Sequence, residues 1–175
     1  MNKTSLIVMF GRDNVGKSTT LEELIGRIIN NQTALPTLIS TFPPQKNRPD
    51  LKVILPFNDK YIYVATGGDD IRRTTANVQF FSMKYSGLSI YRYDITTCSF
   101  VKINNKKSPL MFPEICISAS RPNANIAQPL INFGNSLDPY NSQVVWVRKR
   151  NQQNTQNDAQ DLMDLVNRIH KNKMV

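Results

Sequence analysis

Histidine occurs once in this chain, tryptophan once and cysteine twice. A lone imidazole, His170, sits among lysines late in the sequence; it reads as a surface residue and argues against histidine-based catalysis. Cys98 and Cys116 are far apart and fit no metal or redox spacing, so they read as reduced, mostly buried thiols of a cytoplasmic protein. Long apolar runs are missing as well. Nothing approaches the roughly 18 to 20 residues that cross a bilayer, and the first run, Leu6 to Phe10, is too short for a secretory leader, so no membrane partner is expected. Acidic residues are scarce, 13 against 22 Lys and Arg, for a net charge of +9.

That basic excess recurs at Lys102 to Lys107, Arg148 to Arg150 and Arg168 to Lys173. Such residues serve nucleic acid, an acidic partner or the phosphates of a nucleotide, or form a solvated surface. No run exceeds three consecutive basic residues and no nucleic-acid-reading motif is visible, so nucleic acid is a secondary expectation. At 175 residues the chain has the size of one core, and a single domain over 1–175 is expected.

Ser5 to Phe10 is a continuous apolar run, as in a strand buried on both faces of a parallel sheet. Leu21, Leu24, Ile25, Ile28 and Ile29 then recur at helical spacing. Asn31 to Asp50 carries Pro36, Pro43, Pro44 and Pro49 and reads as a long loop without regular structure. Leu51 to Leu55 and Tyr61 to Ala65 form an antiparallel hairpin pattern. After Thr66-Gly67-Gly68-Asp69-Asp70, either aspartate can cap a helix whose Ile71, Thr74, Thr75, Val78 and Phe81 share a face, with Ser86-Gly87 as its end. Leu88 to Lys107 reads as an inserted β-hairpin turning at Asp94 to Thr97. Strands at Glu114 to Ser118 and Gln143 to Val147 frame a helical segment near Ile126 to Phe133, made irregular or late-starting by Pro129. A closing helix carries Leu162, Leu165, Val166 and Ile169, with Asn157 and Gln160 as its capping pair.

This alternation implies an α/β fold in three layers, a mostly parallel sheet with one antiparallel hairpin strand and the insertion at about 88–107. In such sheets ligands bind beyond the carboxyl ends of the strands, which gathers Gly11 to Ser18, Thr66 to Asp70, Ser118 to Arg121 and Arg148 to Arg150 on one rim.

The segment Gly11-Arg12-Asp13-Asn14-Val15-Gly16-Lys17-Ser18 matches G-x-x-x-x-G-K-[ST] at every fixed position, between a buried strand and an amphipathic helix. Glycines let the backbone wrap a phosphate with successive N–H groups inward, and the helix start adds its positive dipole end. The loop from Gly11 through Asp13, Asn14, Val15 and Gly16 is thus expected to cradle a triphosphate. Lys17 reaches the β- and γ-phosphates, Ser18 ligates Mg²⁺, and Thr19 lies at the α-phosphate.

On these residues the chain resembles the P-loop NTPases, and its order of elements is similar to the GTPase-like branch. In that branch the strand after the hairpin ends in D-x-x-G. Here Ala65-Thr66-Gly67-Gly68 keeps the glycine and lacks the aspartate, so Asp69 or Asp70 is the expected carboxylate for Mg²⁺ or for an attacking water. Ser118-Ala119-Ser120-Arg121 and Arg148-Lys149-Arg150 replace the guanine-reading elements, which makes ATP the default and GTP the alternative. Arg121 follows a core strand and can meet phosphate, base or a surface partner. Arg72 and Arg73 can act as an arginine finger or lie on a solvated helix face. Thr37 and Thr41 lie where the branch places a Mg²⁺-contacting threonine. Asp13 is expected to face solvent. The function implied is a slow Mg²⁺-dependent triphosphatase; the alternatives are a small-molecule or nucleotide kinase, and a nucleotide-dependent switch or assembly subunit with a basic partner surface.

Overall fold

The computed structural model describes residues 3–30, 37–41, 50–94 and 99–173, with the backbone alone at 37–41, 93–94, 99 and 173. Among the described residues, eight strands and four helices run in the order β1 (Ser5–Phe10), α1 (Lys17–Asn30), β2 (Thr37–Thr41), β3 (Leu51–Phe57), β4 (Lys60–Ala65), α2 (Ile71–Ser82), β5 (Ser89–Asp94), β6 (Ser99–Lys107), β7 (Pro113–Ser120), α3 (Ala124–Ser136), β8 (Val144–Arg148) and α4 (Thr155–Lys173). Six strands make one sheet in the order β2-β3-β4-β7-β1-β8, and β5 pairs with β6 as a separate antiparallel ribbon. Within the sheet, β4, β7, β1 and β8 run parallel to one another, while β3 runs against both β2 and β4. The expected α/β fold, hairpin and inserted ribbon are therefore present.

Side chains of a strand alternate between faces, and β1 uses both. Ile7 and Met9 join Leu21, Leu24 and Ile28 of α1 and Leu162, Val166 and Ile169 of α4 in one core. Leu6 and Val8 join Phe80 and Phe81 of α2 and Leu130 of α3 in the other. Both faces of β1 are thus removed from water, which is why its sequence is an unbroken apolar run. Across the first helical layer, the Arg27 guanidinium of α1 donates to Gln160 Oε1 at 2.6 Å and Gln156 Oε1 at 2.7 Å on α4.

Several boundaries differ from the expectations, each for an identifiable reason. The segment from Asn31 to Asp50 is not wholly irregular: Thr37–Thr41 is strand β2, because β3 offers it an antiparallel edge. Residues 31–36, 42–49 and 95–98, the last including most of the turn expected at Asp94 to Thr97 and the Cys98 thiol, lie outside the described residues, as do the side chains of Thr37 and Thr41. Helix α2 ends at Ser82 rather than at Ser86-Gly87, because Tyr85 is captured by Met111 in a β-bridge. Its buried face is Thr74, Asn77, Phe80 and Phe81, with Ile71 about half exposed. Periodicity misplaced that face because it counts Asn77 as polar, whereas the amide is buried with two acceptors of its own.

Helix α3 begins at Ala124, five residues before Pro129, because the Asn123 side chain accepts from Asn125 N at 2.9 Å and anchors the first turn. The missing proline N–H removes one bond near the helix start without ending it. Helix α4 starts before Asn157, its first-turn bond running from Asp158 N to Asn154 O at 2.8 Å, and Gln160 serves Arg27 instead of a cap. His170 is the largest departure. It is buried, with Nδ1 2.8 Å from Glu114 Oε2 and its ring edge-on to Phe57, so α4 is tied to β7 through the residue expected at the surface.

No helix among the described residues is long and apolar enough to cross a membrane. Leu24 is fully buried between α1, α4 and the sheet. Leu24→Ala is expected to lower unfolding free energy by about 2–5 kcal/mol in urea titrations, as core truncations that leave a cavity do.

Candidate functional site

The carboxyl ends of β1, β4, β7 and β8 meet at one rim, and backbone contacts hold them there. Gly11 N donates to Ser120 O at 3.2 Å, joining the end of β1 to that of β7. Lys149 N donates to Phe10 O at 2.8 Å, extending the pairing of β8 with β1. A Cβ on Gly11 would lie 2.5 Å from Lys149 O, and one on Gly68 only 1.9 Å from Ala119 O. These two glycines are required because backbone from a distant part of the same chain occupies the space of a side chain.

β7 lies between β1 and β4, so the loop after β1 and the turn after β4 start two strand spacings apart, about 10 Å. The first turn of α1 closes that gap: the Ser18 hydroxyl donates to Thr66 O at 2.9 Å. Within the loop, Asn14 (φ 56°) and Gly16 (φ 85°) adopt left-handed conformations, which turn the backbone back on itself. Gly16 O accepts from Thr20 N at 2.9 Å, so Gly16 sits at the helix N-cap with no side chain to satisfy the N–H groups that follow. Val15 and Thr19 are half-buried beside it.

Lys17 is 5% exposed, and its ammonium donates to Gly11 O at 2.9 Å and Arg12 O at 2.8 Å. Its third neighbour is Asp69 Oδ1 at 3.8 Å. Burial pulls the Lys17 pKa below its ordinary value, and the carboxylates of Asp69 and Asp13 oppose the shift.

The two candidate aspartates divide their roles. Asp70 is the N-cap of α2, its Oδ1 accepting from Arg73 N at 2.9 Å. Asp69 faces the loop instead, with Lys17 and Arg121 each 3.8 Å from its Oδ1 and Arg73 3.9 Å from its Oδ2. Arg121 Nε also approaches Asp13 Oδ1 at 2.6 Å, without the alignment of a hydrogen bond. Asp13 is therefore not simply solvent-facing: although half exposed, it is tied to the end of β7.

Arg73 likewise does not lie on a solvated face. Its Nε is 3.1 Å from Asp50 Oδ2, while Arg72 is exposed. Asp50 went unnoticed in the sequence because its partner lies 23 positions away on α2; burial raises its pKa and Arg73 acts against that rise. Ala65, at the position of the missing aspartate, is wholly buried in the core beneath α2 and α3. Below the rim, Asn77 Nδ2 donates to Gly67 O at 2.6 Å and Ser118 Oγ at 3.0 Å, fixing the Gly67-Gly68 turn from inside.

The basic strand end splits in two. Arg148 and Arg150 are exposed, whereas Lys149 is buried and ion-paired with Asp158 of α4. Only a fold that brings α4 beneath the loop creates that pair. Among the described residues, no three His, Cys, Asp or Glu side chains converge in a ready-made metal cage. What the rim combines is a helix start at a glycine, a buried ammonium and a carboxylate shared among three cations.

No model of a known protein family matches this chain, and no characterised protein matches it significantly. Two substitutions test the geometry directly. Gly68→Ala drives a methyl into Ala119 O and is expected to destabilise the fold by about 3 kcal/mol or more, read by thermal or urea unfolding. Asp70→Ala removes the α2 cap and is expected to cost about 1 kcal/mol in the same measurement.

Proposed function

We propose that this chain binds a magnesium–nucleoside triphosphate on the Gly11–Ser18 loop and hydrolyses it slowly, with ATP the default nucleotide and GTP the alternative. The observation that carries the reading is the start of α1: a left-handed Gly16 at the N-cap position, followed at once by a buried Lys17 whose ammonium turns back into its own loop. The backbone N–H groups of a helix start, at the positive end of the helix dipole, favour a phosphate.

The lysine's two acceptors are carbonyls of the loop itself, so phosphate oxygens offer the ammonium better, charged partners in the same place. The donor set suits Mg²⁺, which binds through one or two protein oxygens together with water and phosphate. Ser18 supplies a hydroxyl oxygen beside the loop, and Asp69 a half-exposed carboxylate facing it. Bound there, the ion would neutralise charge on the β- and γ-phosphates. Lys17 and Arg121 each supply positive charge 3.8 Å from Asp69 Oδ1. Asp69 is the group to orient an attacking water, since Asp70 is engaged as the helix cap.

Calorimetric titration of the folded protein with Mg–ATP and Mg–GTP tests this. Lys17→Ala is expected to weaken binding by about tenfold or more, by loss of a charge-assisted contact. Asp69→Asn is expected to retain binding and lower turnover by about 100-fold. Failure of the folded wild type to bind either nucleotide overturns the reading. A pH dependence follows as well. Burial lowers the Lys17 pKa in the free site and phosphate raises it in the bound one, so binding takes up a proton between those two values. Affinity should therefore fall as pH rises through the lowered pKa toward the ordinary lysine value, measurable by titrations at stepped alkaline pH.

A further inference from the structure

The segment that follows β8 runs beneath the glycine loop and touches it at three points. The Lys149 carbonyl fills the space beside Gly11, where a Cβ would lie 2.5 Å from its oxygen. The Lys149 side chain passes under the second turn of the loop, with Cε 3.8 Å from the position a Gly16 Cβ would take. Gln152 Nε2 donates to Asn14 O, the carbonyl of the other left-handed residue. One residue, Lys149, therefore packs against both fixed glycines of the motif.

Its own position is set from α4. The Lys149 ammonium is fully buried and pairs with the Asp158 carboxylate in the first turn of that helix. A buried charge stays only where a partner holds it, so the pair fixes where the side chain runs. The acidic residue also stands near a helix start, where a negative charge is favoured. These groups contact the loop's backbone at Gly11, Asn14 and Gly16.

We infer that Lys149, held by Asp158 and assisted by Gln152, is a positioning residue for the phosphate-binding loop, setting the loop's backbone so that its N–H groups converge on a triphosphate. The inference rests on the nucleotide-binding reading above and adds residues outside the motif to that site. Its physical content is preorganisation: a loop held in its binding conformation before the ligand arrives binds more tightly than one that must be ordered by it. Asn14 and Gly16, at the two left-handed positions, are where such ordering costs most, because the chain must hold an uncommon conformation there.

The experiment compares Mg–ATP affinity by calorimetry with the melting temperature of the nucleotide-free protein. It uses wild type, Gln152→Ala, Lys149→Met and the double variant Lys149→Met/Asp158→Leu. Lys149→Met alone leaves Asp158 without its cation and can fail to fold; the double variant replaces the pair by apolar groups and avoids that penalty. The expected result is a split. The double variant melts near wild type while its dissociation constant rises about tenfold, the scale of a small misplacement of binding groups. Gln152→Ala, on an exposed side chain, gives a smaller rise in the same direction.

A purely structural pair would show the reverse, with lowered melting in Lys149→Met and wild-type affinity in the double variant, and that result overturns the inference. Should neither Lys149 variant fold, wild-type affinity in Gln152→Ala overturns it equally. Loss of binding in wild type itself would instead remove the nucleotide reading, and this inference with it.

Discussion

Backbone packed directly against backbone, where β1, β4, β7 and β8 end, is the constraint on which the rest of this structure depends. Gly11 lies against Lys149 O and Gly68 against Ala119 O, at distances that admit no Cβ. Those approaches, with the bonds from Gly11 to Ser120 and from Lys149 to Phe10, bring four strand ends to one rim. The helix start at Lys17 can then bridge to Thr66 across the intervening β7. Widening either glycine contact would move the loop away from the turn that carries Asp69.

On that frame the charges alternate. Asp50, Arg73, Asp69, Arg121 and Asp13 follow one another from β3 across α2 and β7 to the loop, and Lys17 enters the series at Asp69. Each exposed pair contributes little by itself, because water screens it. Their value lies in arrangement. On the proposed reading, the site must keep cations close without letting them collapse onto carboxylates so firmly that phosphate cannot displace them. The 3.8 Å contacts between Asp69 and both Lys17 and Arg121 are looser than hydrogen bonds, whereas Arg121 lies 2.6 Å from Asp13.

The fold was largely legible because its signals are local. The apolar run of β1, the spacing of leucines and isoleucines in α1 and the paired runs of β3 and β4 each report burial by their own pattern. Errors came where a partner distant in sequence decided the outcome. His170 is polar and surrounded by lysines, yet Glu114, 56 positions away, makes its burial tolerable. Asn77 looks like a surface residue of α2 until Gly67 O and Ser118 Oγ receive its amide. Tyr85 leaves the helical pattern because Met111 pairs with its backbone.

The sequence by itself determined the glycine loop, the strand before it and the helix after it, since the spacing of Gly11, Gly16, Lys17 and Ser18 needs no partner elsewhere. It also offered Asp69 and Asp70 alike as the cap of α2. Tertiary structure alone chose between them, making Asp70 the cap and leaving Asp69 beside Lys17. Tertiary structure alone also separated Lys149 from its neighbours Arg148 and Arg150, burying the middle lysine of three basic residues beneath the loop. The physical reason is the same in both cases. Identical side chains differ only in what surrounds them, and those surroundings are set by strands and helices remote in the chain.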